Sequence, residues 1–229
     1  YRLPHAPITI NGDAAFLPAN GVTGGSGTAA DPYVISGWEI DSTGAANGIL
    51  IQNANAYFVI MDCAITGDGA GYGIRTVNCP NFVVRSNDVS AHLYGIHVNG
   101  TTDSGIWYNE VQGAGTAIYA SAFGGSIALN SVHGNGDGIV LVSSATCTLA
   151  ANWLFMNAKN GIGVHDSQDV YLHHNTVNGS AVGLLLNSSH GCVVRNNTLD
   201  TNAYGIKLTN ATGVNWLYNN NLLDNTFQA

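Results

Sequence analysis

Gly183–Tyr204 reads GLLLNSSHGCVVRNNTLDTNAY, and directly behind it Gly205–Asn225 reads GIKLTNATGVNWLYNNNLLDN. Both stretches open with Gly, an aliphatic residue, any residue and Leu, and both reach an Asn-Asn pair about fourteen residues later, followed by a further apolar residue. The same phrase opens at Gly48, Gly73, Gly95, Ala117, Gly138, Gly161, Gly183 and Gly205, at spacings of 25, 22, 22, 21, 23, 22 and 22 residues. A fixed short period is the signature of a solenoid. The leucine-rich frame and a sustained helical period are both missing, which leaves strands as the repeating element.

Within each repeat the apolar residues alternate, as in Ile49 and Ile51, Ile96 and Val98, or Leu184 and Leu186. A period of two marks a strand with one buried face. About ten residues on runs a second apolar column: Ile60, Val84, Ile106, Ile127, Leu149, Leu172, Val194 and Leu217. Three residues after each member stand Cys63, Asn87, Asn109, Asn130, Asn152, Asn175, Asn197 and Asn220. Two further on are Ile65, Val89, Val111, Val132, Leu154, Val177, Leu199 and Leu222. These columns predict an all-β fold, a right-handed parallel β-helix of about eight to nine coils, with equivalent residues ~4.8 Å apart. One coil cannot bury its own apolar face, whereas stacked coils can. Asn in seven of eight equivalent slots predicts an internal amide ladder that satisfies backbone groups at a bend.

Tyr1–Asn47 lacks the repeat and is expected to form an N-terminal arm and cap with an incomplete first coil, while residues 48–229 form eight coils. At the other end NNNLLDNTFQA follows the last columns with no amphipathic helix to close them. An open coil of that kind presents unpaired strand edges. The two prolines of YRLPHAPITI suit an edge or arm position. Together these features suggest that Tyr1–Ile10, or the cap just after it, meets the C-terminal coil of a neighbouring molecule, giving a head-to-tail homo-oligomer or filament.

The 229 residues are 45% hydrophobic and 9% charged, enough for one domain with an ample core. Six Lys and Arg against fourteen Asp and Glu give a net charge of −8, which argues against a nucleic-acid partner. No apolar run approaches the length of a membrane span. A start at Tyr1 without Met suits a processed secreted chain, so an extracellular or cell-surface location is expected. Asn99, Asn178, Asn187, Asn196 and Asn210 head sequons for N-glycosylation. The four cysteines make no metal motif, and Cys147 and Cys192, sharing a column two coils apart, stand ~9.6 Å from each other, too far for a disulfide. All four read as buried free thiols.

With its Gly-Ile coils and Asn ladder, the phrase NGVTGGSGTAADPYVISGWEIDSTGAANGILIQN resembles secreted archaeal β-helix proteins of the NosD-like and carbohydrate-binding, sugar-hydrolase (CASH) repeat families. The resemblance covers nearly the whole chain. It implies the β-helix fold and copper delivery or sugar chemistry, but no catalytic residue carries over because the matched positions are structural.

Leu50, Arg75, His97, Tyr119, Val140, Gly163, Leu185 and Lys207 face out from the first strand without a carboxylate, and the second strand's outward columns have none either. Asp88 and Glu110, one coil apart, could share a cation such as Ca²⁺ or raise one another's pKa, or could be two solvated turn acids. Arg75, His97 and Tyr119 could form a polar site or an incidental exposed ladder. The eight histidines invite Cu(II), yet His173 and His174 should point to opposite sides of a strand and the others are scattered, so neither copper nor any other cofactor is expected. Tyr171, His173, Arg195, Trp216 and Tyr218 fall on two neighbouring outward columns and form a possible glycan- or protein-binding face. With no carboxylate set to act, the sequence points to a non-catalytic, self-assembling structural module. The alternative is a protein that binds or cleaves a polysaccharide.

Overall fold

The structure, a computed structural model, describes residues 1–211 and 213–229. It is a parallel β-helix of about nine turns, each contributing three strands. The first strand of each turn builds face 1 (Asn47–Gln52, Tyr72–Val77 and their equivalents), the second face 2 (Phe58–Met61, Phe82–Arg85), and the third face 3 (Ala64–Thr66, Asp88–Ser90). Every strand pairs in parallel with the same strand of the next turn, for example Ile49 with Ile74 and Asp88 with Glu110. Faces 1 and 2 merge into one continuous strand at Tyr94–Trp107 and again at Thr116–Ala128.

The inward columns are those the repeat predicts. Ile60, Val84, Ile106, Ile127, Leu149, Leu172 and Val194 are fully buried, and each sits in register on the next. The Gly that opens each phrase is a core residue. A Cβ on Gly48 would lie 2.7 Å from the carbonyl oxygen of Gly73 in the next turn, so this column is small because two backbones approach there.

The corner between faces 2 and 3 is a two-residue turn. Its first residue is left-handed in eight successive turns, at Asp62, Ser86, Tyr108, Leu129, Ala151, His174, Asn196 and Asn219, with φ between 53° and 59°. The second residue is the ladder slot. Asn152 is typical: its Nδ2 donates to the Ile127 carbonyl at 2.9 Å and to Asn175 Oδ1 at 2.9 Å, while its Oδ1 accepts from Asn130 N and Nδ2. Asn87, Asn109, Asn130, Asn175 and Asn197 repeat the pattern, and Asn220 receives the last link from Asn197. Cys63 occupies the slot one turn before Asn87 and donates its own N–H to Asn87 Oδ1. All four cysteines are free and buried, and burial pushes the thiols up, Cys63 to about 11 and Cys147 to about 12.

Residues 8–41, where the sequence lacks the repeat, add one strand to every face. Ile8–Asn11 pairs with face 1, Tyr33–Ser36 with face 2 and Trp38–Asp41 with face 3. The interval between the first two is a loop whose Phe16 stacks on Tyr33 at 4.6 Å and packs on Phe58, covering that end of the core. Tyr1–Ile10, expected to reach a neighbouring molecule, is engaged within its own chain. Leu3–Pro4 pairs with Trp38–Glu39, Arg2 donates to the Asp62 carbonyl and bonds Asp88, and Ile8 and Ile10 are buried.

Candidate functional site

Outward residues on face 1 come from three positions of each strand, and register stacks each position into a column. In the third to fifth turns two neighbouring columns hold Tyr72, Tyr94 and Thr116, and Arg75, His97 and Tyr119. The structure brings these residues into one cluster. Tyr72 and Tyr94 stack at 5.3 Å, and His97 stacks on Tyr119 at 5.0 Å. The His97 ring stands edge-on to both Tyr72 and Tyr94. The Arg75 guanidinium lies 4.5 Å over the Tyr72 ring.

Every member is half-buried, so the cluster is a packed platform. Burial first, and the positive charge of Arg75 second, hold His97 down to about 4, so the ring is neutral at physiological pH. Burial also raises the Tyr119 phenol, with Tyr94 contributing. Arg75 Nε and His97 Nδ1 are buried without a hydrogen-bond partner. Among the described residues the ion pairs are Arg2–Asp88, His133–Glu110 and Lys159–Asp137, so no carboxylate lies within pairing distance of Arg75. An unpaired guanidinium braced on an aromatic ring, beside a neutral imidazole and a phenol, can hold an anionic group and hydrogen-bond a sugar. The sequence shows the Arg75, His97 and Tyr119 column. It hides Tyr72 and Tyr94, which lie three residues earlier and join only when the two columns stand side by side.

Tyr171, His173 and Arg195 meet on face 2, with Arg195 5.1 Å over Tyr171 and Tyr171 edge-on to His173. Trp216 and Tyr218 continue the same columns in the last turn and are exposed. Asp88 and Glu110 are register neighbours, yet Asp88 is engaged by Arg2 and Glu110 by His133 at 3.2 Å, each with its own cationic or imidazole partner. Of the sequon residues Asn99 and Asn210 are exposed, and Asn178, Asn187 and Asn196 are half-buried. Thr212, which completes the Asn210 sequon, lies outside the described residues. A second amide corner lies between face 3 and the next face 1. Asn135 donates to Asn157 at 2.9 Å and Asn202 to Asn225 at 3.0 Å, but His92, Ala114 and Ser180 interrupt the column and mask its period.

The fold recurs in alginate and mannuronan epimerases and in a tailspike enzyme domain. A double mutant of the periplasmic alginate epimerase AlgG is similar at 19% identity with a TM-score of 0.72, covering 82% of this chain, which spans half of that one. The mannuronan C-5 epimerase AlgE4 A-module of Azotobacter vinelandii is similar at 20% identity and TM-score 0.65, over 85% of this chain and 66% of that one. The enzymatically active domain of bacteriophage CBA120 tailspike protein 2 is similar at 12% identity and TM-score 0.67, over 95% of this chain and 38% of that one. At such identities the likeness is one of fold. No curated protein matches the sequence.

Residues 61–229 match the family described as periplasmic copper-binding protein (NosD). That description implies copper, and the donors present do not enclose one. Among the described residues no group of three or more His, Cys, Asp or Glu side chains converges on a common point. The thiols are buried and protonated, and the Met61 sulfur accepts from Arg85 at 2.9 Å. What does converge is a pair. His174 is left-handed, with φ 55°, so its side chain swings to the same side as that of His173 and their Nδ1 atoms lie 2.9 Å apart. Strand alternation had placed them on opposite sides, and the corner geometry overrides it. No helix among the described residues is long and apolar enough to cross a membrane. With the match covering most of its length and the repeat running through the same residues, the chain belongs to the NosD family.

Proposed function

We propose that this protein acts outside the cytoplasm as a polysaccharide-binding β-helix, and that face 1 of the third to fifth turns holds a carboxylate-bearing sugar chain. The observation that carries this reading is Arg75, a half-buried guanidinium braced 4.5 Å over the Tyr72 ring with no carboxylate within pairing distance among the described residues. A sugar carboxylate would pair with that fork, and the rings of Tyr94 and Tyr119 would pack against the pyranose. The cluster lies along the helix axis, so a linear polymer running in that direction meets one outward row per turn, each ~4.8 Å from the last. The fold neighbours support the reading, since two are epimerases of alginate or mannuronan and a third is a tailspike enzyme domain. The self-assembling module suggested by the sequence draws less support, because the segment expected to make the contact is engaged within the chain.

The test is affinity electrophoresis or calorimetry with alginate and pectate, with neutral dextran as control. Retardation by the uronates alone, reduced about tenfold or more in Arg75→Ala, is the expected result. Equal binding of dextran, or uronate binding unchanged in Arg75→Ala, would overturn the reading. The same incubations report on chemistry through release of unsaturated or reducing ends.

A further inference from the structure

The arrangement around Arg75 occurs twice on face 1. In the third turn Arg75 lies 4.5 Å over the Tyr72 ring, which stacks at 5.3 Å on Tyr94 of the next turn. In the ninth turn Lys207 Nζ lies 4.8 Å over the Tyr204 ring, which stacks at 4.7 Å on Phe227. Each cation covers the Tyr three residues before it, in Tyr72-Gly-Ile-Arg75 and in Tyr204-Gly-Ile-Lys207. Register carries one outward column from Arg75 through Val140, Gly163 and Leu185 to Lys207. Lys207 is half-buried and takes part in none of the ion pairs among the described residues.

The floor between the two cations suits a chain laid along the axis. Val140, Gly163 and Leu185 carry no charge. A Cβ on Gly163 would stand 2.9 Å from His165 Nε2, so the His165 ring lies over the glycine and keeps the floor level. The strands of face 1 in the sixth to eighth turns hold one carboxylate, Asp137. It accepts from Asn160 Nδ2 at 2.8 Å and pairs with Lys159 at 3.5 Å, so its charge is met within the chain.

We infer that Lys207, with Tyr204 and Phe227, forms a second carboxylate-binding subsite, and that one polyuronate chain spans face 1 from Arg75 to Lys207. The inference rests on the polysaccharide reading above. The two cations are six turns apart, ~29 Å at one strand spacing per turn. A polymer held at one end is presented to the other at high effective concentration, so two weak contacts combine only in an oligomer long enough to reach both. Arg75 offers a carboxylate a planar fork, whereas the Lys207 ammonium meets it as a point charge and is the less selective for its orientation.

Oligouronates of defined length, cut from alginate and from pectate, are titrated by calorimetry into the full chain at low ionic strength. Oligomers much shorter than the ~29 Å span should bind two per chain. Oligomers longer than the span should bind one per chain, at least about tenfold more tightly. Leu185 holds the same slot one turn earlier, so Lys207→Leu keeps the strand. That variant should take a single short oligomer and lose the gain with length, and Lys207→Arg should recover both. An unchanged thermal midpoint checks that the variants fold, and the stoichiometry of the parent decides the matter without them. A parent that takes one short oligomer, or a gain with length that survives Lys207→Leu, would overturn the second subsite and leave the Arg75 reading standing. A parent that binds no uronate of any length removes both.

Discussion

The inside of this β-helix repeats and its outside does not. Along the inner columns almost every turn carries the same residue type: Ile, Val or Leu in the core and Asn at the corner. Along the outer column of face 1 the turns read Leu50, Arg75, His97, Tyr119, Val140, Gly163, Leu185 and Lys207, no two neighbours alike. The backbone presents both columns with the same geometry, turn after turn. The inner one is constrained by a slot that the next turn must also fit, whereas the outer one is free to vary. Among these unlike residues Tyr72, Arg75, Tyr94, His97 and Tyr119 nonetheless pack against one another.

The contrast is most sharply broken from the inside. Asn152→Leu removes the acceptor for Asn130 N and Nδ2 and the donor to Ile127 and Asn175. A cost of about 3 kcal/mol is expected, since buried backbone groups lose their partners. For a chain of this size that lowers the thermal midpoint by about 6–12 °C. An unchanged midpoint would mean that the corner does not depend on its amides. By contrast, Arg75→Ala on the outside should leave the midpoint nearly unmoved while weakening uronate binding.

A second comparison sets the outer cluster against pH. His97 is held at about 4 in the folded chain against an ordinary 6.5. The unfolded chain therefore binds the proton more readily, and stability declines as pH falls from about 6.5 towards 4, with no contribution above that window. Because the ring is only half-buried, solvent screening reduces the effect. His97→Gln should flatten that part of the stability profile. A profile identical in parent and variant would show that the ring gains a proton without penalty.

The smallest effect is expected where the corner itself is strained. Leu129 is exposed and left-handed, with φ 59°. That conformation costs a non-glycine residue about 1–2 kcal/mol. Leu129→Gly relieves the cost, offset in part by the added entropy of the unfolded chain, so a net gain of up to about 1 kcal/mol is expected in chemical denaturation. Destabilisation would show that the Leu129 side chain contributes packing that its exposure conceals.

Sequence periodicity was sufficient for the inner columns because a period survives only where every turn must fit the same slot. Ile60 through Leu217 and Asn87 through Asn220 were placed in register from spacing alone. It was insufficient in three places for three reasons. Residues 8–41 carry a turn whose strands are separated by the loop between Asn11 and Tyr33, so the interval is too long to match. Asn135, Asn157, Asn202 and Asn225 form interrupted ladders whose breaks at Ala114 and Ser180 still use backbone N–H donors, at 2.9 Å to Asn135 and Asn202, so the corner tolerates a non-Asn residue. His173 and His174 meet because a single left-handed residue reverses the alternation on which strand readings depend.

The Asn corner has an electrical consequence. From Asn87 through Asn109, Asn130, Asn152 and Asn175 to Asn197, one Nδ2–H of each residue points to the Oδ1 of the next turn, ending on Asn220. Strand dipoles in a sheet largely cancel, but these amides all point one way. The column is a row of aligned dipoles, with its positive end towards the last turn, and each amide polarises the next. A break in the middle divides the row into two short segments, whereas a break near either end only shortens it. The same substitution should therefore cost more at Asn152 than at Asn220, although the two residues occupy equivalent places in the repeat.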